Sequence, residues 1–261
     1  MASTYLNRNA SATATTFTYS VWLKRSGLAS DFQYFFSYQS SGGGSNGYGL
    51  AFNGSTNKMY YYGTGGTATT DRVFRDPAAW YHVVLSVTSG TGTLYVNNET
   101  VKSSISVNQV TSGEGMTIGA YKYGSTIDYQ FDGYMAHAHF TDGYAYTPST
   151  FGSTATNGQW VPNLAPSVTY GTNGFFLKFT NASDLGEDSS GNNNDFTKSG
   201  SGDKIPDCPA NVFATFNPLD LPASMNLTNG GLSANSTVND MAATGNMGFT
   251  SGKWYWEFYW A

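Results

Sequence analysis

The feature that most constrains this chain is an alternation of period two that recurs through its first half. In Phe17–Arg25 the apolar residues Phe17, Tyr19, Val21 and Leu23 share one side, and Thr18, Ser20, Trp22 and Lys24 share the other. That period is the signature of a half-buried strand, because successive side chains of extended backbone point to opposite faces. Gln33–Gln39, Tyr48–Asn53, Lys58–Tyr62, Trp80–Thr88, Thr93–Val96, Glu99–Lys102, Met116–Ala120 and Tyr134–Thr141 read the same way. Turn-forming residues divide them: Ser40–Gly47, Asn53-Gly54, Gly63–Gly66, and Asn97-Asn98, which reads as a tight hairpin. Helical periodicity is almost absent, with one short turn expected near Pro148–Phe151. Many short strands at turn-bounded spacing predict an all-β fold, an antiparallel jelly-roll sandwich.

Composition narrows the function classes. Charged residues make up 11% of the 261 and aromatics 16%, with a net charge of −5. A disordered chain carries few aromatics and more charge. A nucleic-acid partner calls for a basic stripe, which is missing. No apolar run is long enough for a membrane-spanning helix. The first residues, Met1–Arg8, lack a signal-peptide profile. The single Cys208 excludes a disulfide framework within the chain.

The texture changes after about residue 150. Residues 151–250 are rich in Pro, Gly and Asn and contain one clear strand, Phe175–Phe179. They read as a connector. Residues 251–261 begin an aromatic strand, with Trp254, Trp256, Phe258 and Trp260 on one face. The expected organisation is a sandwich at 1–150, a connector at 151–250, and the first strand of an unfinished second sandwich from 251.

Several segments carry a resemblance. Trp22–Arg25, Arg75–Val87 (with Trp80-Tyr81-His82-Val83), Gly92–Asn98 and Phe131–Gly143 are similar to a laminin-G-like, concanavalin A-like jelly roll over residues 1–150. Asn98 stands where that family usually has Gly. Tyr5–Arg8, Tyr170–Phe179, Leu185–Phe196 and Asp207–Asp220 resemble structural proteins of tailed bacteriophages. Ser251–Glu257 resembles the entry to a SPRY domain. The resemblance implies a virion location and a non-enzymatic tail fibre or fibre-like appendage that attaches to the host. Its partners would be other virion proteins, a host surface glycan and further copies of the chain, with a trimer expected. The alternatives are a capsid-decorating protein of the same fold and a carbohydrate-active hydrolase.

Four candidate chemistries follow. Hydrolysis of a glycosidic bond needs two suitably spaced carboxylates. The four Glu residues (Glu99, Glu114, Glu187 and Glu257) form no such pair, so no catalytic residue is expected. The loop containing Asp184, Glu187, Asp188, Asn192, Asn194 and Asp195 offers the oxygen ligands a structural Ca²⁺ requires, although self-bonded Asx turns explain the same residues. His137 and His139, two apart on one strand, would face one side and could share a transition metal with His82 or another subunit, against a bland reading as an exposed sheet face. Tyr121, Tyr123, Asp128 and Tyr129 combine stacking faces with a polar group, the chemistry that binds sugars.

Overall fold

A computed structural model describes residues 4–39, 47–63 and 65–259. The expected turn at 40–46, Thr64 and Trp260 lie outside the described residues. In chain order the strands of the first half are β1 (Tyr5–Asn9), β2 (Phe17–Arg25), β3 (Gln33–Gln39), β4 (Gly47–Asn53), β5 (Lys58–Gly63), β6 (Gly66–Val73), β7 (Tyr81–Thr88), β8 (Thr91–Val96), β9 (Glu99–Ser106), β10 (Gly115–Ile118), β11 (Tyr121–Tyr123), β12 (Thr126–Asp128) and β13 (Gly133–Asp142). A one-turn helix α1 (Pro148–Phe151) follows, then β14 (Gly152–Thr154), β15 (Trp160–Pro162), β16 (Phe175–Leu177), β17 (Thr197–Ser199), β18 (Met225–Thr228) and β19 (Ser233–Ser236).

Two antiparallel sheets stack face to face as a jelly-roll sandwich. The seven-stranded sheet has the order β17-β1-β10-β3-β4-β5-β6, and the six-stranded sheet β16-β13-β2-β7-β8-β9. Between them lies one aromatic-rich core that includes Phe17, Tyr19, Phe36, Phe52, Phe140 and Phe175. Tyr19 stacks on Phe36 at 4.1 Å, and Phe17 on Phe140 at 5.2 Å. The hairpin expected at Asn97-Asn98 forms, with positive φ at both residues (49° and 68°), as a two-residue primed turn requires.

Strand β2 departs from the half-buried expectation, since all nine of its positions are buried. The alternation is intact, but its polar side is roofed by the segment after β13. Thr18 Oγ1 donates to the Tyr144 carbonyl and accepts from the Tyr146 N–H. Lys24 Nζ makes an ion pair of 2.8 Å with Asp207, with both side chains almost wholly buried. Arg25, at the end of the strand, is buried with neutral acceptors only: Gln33 Oε1, Asn57 Oδ1 and the Phe74 carbonyl. Its guanidinium also lies 4.7 Å from the Phe52 ring centre.

The connector is therefore woven into the sandwich. Strand β16 extends the six-stranded sheet beside β13, and β17 extends the seven-stranded sheet beside β1. Residues 251–259 run without a ladder partner. Trp254, Trp256 and Phe258 are exposed there, and Trp254 stacks on Phe249 at 4.0 Å.

Candidate functional site

The outer face of the seven-stranded sheet carries a floor of aromatic rings. Register places Tyr60 opposite Ala51 and Tyr62 opposite Gly49, while Tyr34 also pairs with Ala51, so these rings share the face turned away from the core. An irregularity in β3 between Tyr34 and Phe36 lets Phe35 join the core while Tyr34 stays outside. Gly49 makes room for the floor: a Cβ there would collide with the Phe36 carbonyl oxygen and touch the Tyr34 ring at 3.0 Å.

The β11–β12 hairpin folds over this floor. Tyr121 approaches Tyr34 to 4.8 Å between ring centres, and Tyr129 lies 6.2 Å from each of them. Phe32 closes the group, 4.9 Å from Tyr60 and 6.0 Å from Tyr129. The hairpin is tied down by backbone and side-chain bonds: Tyr34 N–H to the Tyr129 carbonyl, Ser37 Oγ to the Ala120 carbonyl, and Gly124 N–H to Gln39 Oε1. Burial pushes the Tyr34, Tyr60 and Tyr121 hydroxyls up, and the neighbouring phenols push further the same way. These hydroxyls are uncharged at neutral pH and can both donate and accept. The surface can stack a ring and exchange hydrogen bonds.

Of the residues singled out for sugar stacking, Tyr121 and Tyr129 meet in this floor. Tyr123 and Asp128 stand exposed on the covering hairpin, with Asp128 directly opposite Tyr121. Tyr34, Tyr60 and Phe32 were outside that set. Register brings them in, and register is not visible in a local pattern. Tyr48 and Tyr61, on the neighbouring strands β4 and β5, belong to the core.

The polar loop is a network of self-made bonds. Asp188 Oδ1 accepts from the Phe176 and Ser190 N–H groups, and Oδ2 from Ser190 Oγ and the Asn194 N–H. Asp195 accepts from the Asp188 N–H, Asp184 from the Gly186 N–H, and Glu187 from Asn181 Nδ2. Asn192 and Asn194 turn their amide nitrogens onto the carbonyls of Gly171, Thr172 and Gly174, and Arg8 donates to Asn194 Oδ1. Amide N–H groups and a guanidinium thus sit where a cation would have drawn oxygens. Among the described residues no group of three or more His, Cys, Asp or Glu is placed to hold a metal ion. Asp188→Ala is expected to lower stability by about 3 kcal/mol, since bonds to a charged acceptor are the costly ones to lose. A melting curve with EDTA should overlay one with Ca²⁺; separated curves would show that the loop binds calcium.

The histidines correct the exposed-face expectation. A bulge between Ala136 and His139, with His137 at φ 48°, interrupts the alternation of β13. Ala136 turns outward against Trp22 and Trp80, whereas Ala138 and Phe140 enter the core. His139 is buried, stacked on Phe176 at 3.9 Å, with Nδ1 3.0 Å from the Tyr170 hydroxyl. His82 is also buried. Its Nδ1 accepts from Trp160 Nε1–H at 3.0 Å, so in the neutral ring Nε2 carries the proton and donates to Ser20 Oγ at 2.9 Å. Both His82 nitrogens are taken. Burial, with His137 adding to it, pushes the His82 pKa down to about 3 and lowers that of His139 well below its ordinary value.

A family model described as the concanavalin A-like lectin/glucanases superfamily matches residues 2–150. Among solved structures, a protein assigned as carbohydrate-binding from Bacteroides ovatus superposes with a TM-score of 0.58 at 16% identity, over 81% of this chain and 61% of that one. A heptameric SAP-like pentraxin from Limulus polyphemus gives 0.46 at 16% identity, over 63% of this chain and 87% of that one. At 16% identity the Bacteroides ovatus match shows a shared fold alone. No curated protein matches the sequence.

Proposed function

Because the chain belongs to the concanavalin A-like lectin/glucanases superfamily, we propose that it is a non-catalytic carbohydrate-binding protein whose saccharide rests on the tyrosine floor beneath the β11–β12 hairpin. The observation that carries this is the convergence of Phe32, Tyr34, Tyr60, Tyr121 and Tyr129, which come from three separate parts of the chain. Tyr34 is buried and supports the group from below, while the accessible faces of Phe32, Tyr60, Tyr121 and Tyr129 suit the C–H side of a pyranose and the tyrosine hydroxyls suit its hydroxyls. Binding without turnover is supported by the glutamates. Each is engaged elsewhere: Glu99 with Arg72, Glu114 with the Thr111 N–H, Glu187 with Asn181, and Glu257 with Tyr255. The setting we infer is the surface of a tailed-phage virion, with host attachment through a tail fibre as the role. The phrases between Tyr170 and Asp220 support it.

A glycan array compares the parent chain with Tyr121→Ala and Tyr129→Ala. Both side chains are at least partly exposed, so the sandwich should stand without them. The expected result is retention of one glycan class by the parent and a loss of about tenfold or more in affinity, on the order of 1.4 kcal/mol, in each variant. Equal binding by parent and variants would remove the floor as the site. New reducing ends after incubation with a retained polysaccharide would show turnover instead.

A further inference from the structure

The roof over the six-stranded sheet is a closed loop, residues 144–169. Its base is fastened by the Asp142 N–H, which donates to the Tyr170 carbonyl at 2.7 Å. A glycine in the left-handed region stands at each end, Gly143 at φ 86° and Gly171 at φ 70°, a conformation that costs glycine little. The loop carries α1, β14 and β15. It is bonded internally, as in Asn163 N–H to the Phe151 carbonyl and Thr169 N–H to the Tyr146 hydroxyl. Its attachment to the sheet is sparse beyond Tyr146. Among the described residues, positions 147–169 make one hydrogen bond to the sheet, from Trp160 Nε1–H to His82 Nδ1 at 3.0 Å. At the base, the Tyr170 hydroxyl adds its bond with His139 Nδ1. The rest is packing: Phe151 lies 5.1 Å from the His139 ring, and Trp160 lies 6.0 Å from His82. The loop thus rests on two of the chain's three histidines.

The charge around those two rings has one sign. Residues 143–170 contain no Asp, Glu, Lys, Arg or His. From β13, His137 opposes a positive charge on both rings, and Lys178, just past β16, opposes one on His139. Lys24 of β2 is paired with Asp207. The carboxylates at the margin are committed: Asp142 accepts from Asn173, and Asp188 from Phe176, Ser190 and Asn194. The remaining titratable groups are Tyr134, Tyr144, Tyr146 and Tyr170, and phenols carry no charge in acid. A proton on His82 therefore meets no free carboxylate. It also reverses the bond that holds the loop. With Nδ1 protonated, the ring presents an N–H to the Trp160 N–H, donor against donor, while Nε2–H keeps Ser20. His139 is more tolerant, because the Tyr170 hydroxyl can turn and accept.

We propose that residues 144–169 are an acid-released lid, latched by Trp160 on neutral His82 and hinged at Gly143 and Gly171. Protonation of His82 detaches Trp160 from the cluster of Trp22, Trp80 and Ala136 on which it packs, while the two stacked sheets stay folded. The device is separate from the tyrosine floor, which lies on the other sheet, and stands independently of it. In the open form His82 regains an ordinary imidazole pKa near 6.5, against about 3 when closed. Opening then takes up a proton, so the open population rises about tenfold per pH unit as the pH falls from 6.5 toward 3.

The test follows solvent exchange of indole and backbone N–H groups by NMR in the full, ¹⁵N-labelled chain at pH 6.5 and pH 4. Each rate is divided by its intrinsic value at that pH. Trp160 Nε1–H exchanges only when the latch breaks, so it reports the lid directly. The expected result is that its opening constant rises by about a hundredfold or more between the two pH values, while backbone amides of β2 and β7 stay at least about tenfold better protected. In His82→Gln the side-chain amide can still accept from Trp160 and has no proton to gain, so the rise should be at least about tenfold smaller. Corrected exchange of Trp160 that is equal at pH 6.5 and pH 4 would overturn the proposal. So would strand amides that lose protection together with Trp160, which is unfolding of the whole chain, or a rise in His82→Gln equal to the parent's. Should His82→Gln fail to fold, the comparison of Trp160 with the strands in the parent chain decides.

Discussion

Asp207→Ala is expected to cost about 3–5 kcal/mol, the range for removing one partner of a buried ion pair. The pair joins Lys24 of β2 to the connector across 2.8 Å. Asp207 Oδ1 also accepts the Phe213 N–H, so the carboxylate holds the 207–213 turn in place while neutralising the lysine. Truncation leaves a buried ammonium without a counter-charge. In a domain of this size the melting temperature should fall by roughly 10 °C, at about 2–4 °C per kcal/mol. The double variant Lys24→Met/Asp207→Leu should recover most of the loss, because it removes both charges and fills the space. Differential scanning calorimetry on the three proteins reads both effects. A single variant within about 1 kcal/mol of the parent would mean that the roof is not fastened there.

The second large effect is acid sensitivity. Unfolded imidazoles take up a proton near pH 6.5, whereas folded His82 does so only near pH 3. His139 is lowered in the same direction by burial, then by His137, His82 and Lys178. Acid therefore protonates the unfolded chain first. The stabilisation is complete above about pH 6.5 and is lost as the pH falls from there toward 3. At pH 4 His82 alone should account for a loss of about 3 kcal/mol, at 1.36 kcal/mol per pH unit. Urea unfolding at several pH values should show stability dropping from pH 6.5 to pH 4. His82→Gln, although less stable at neutral pH, should show a shallower slope. Identical slopes in parent and variant would rule out His82 as the sensor.

Most of the sandwich was legible because alternation is a local signal. Phe17–Arg25, Trp80–Thr88 and the Asn97-Asn98 hairpin sit where period two and turn chemistry put them. Strand β6, half Thr and Gly with little burial, left no such trace. The bulge at His137 was equally silent, because one left-handed residue shifts every later side chain without changing composition. The binding floor was half legible. Tyr121 and Tyr129 stand close in sequence and could be read together, but Tyr34 and Tyr60 join them only through ladder register. Burial of the polar side of β2 was invisible for a related reason: its roof lies more than a hundred positions away, as with the Tyr144 carbonyl that Thr18 meets.

The pairing of Tyr5 with Ser199 has a consequence for how the chain is made. Strand β1 emerges from the ribosome long before β17, so one of its edges stays open until that last strand of its sheet is synthesised. Contacts this distant in sequence slow folding, and here about 200 residues must appear first. At about 5–20 residues per second, the edge stands bare for roughly 10–40 s. During that interval a neighbouring nascent chain presents the same complementary strand, so crowding on a polysome favours exchange of β17 between copies.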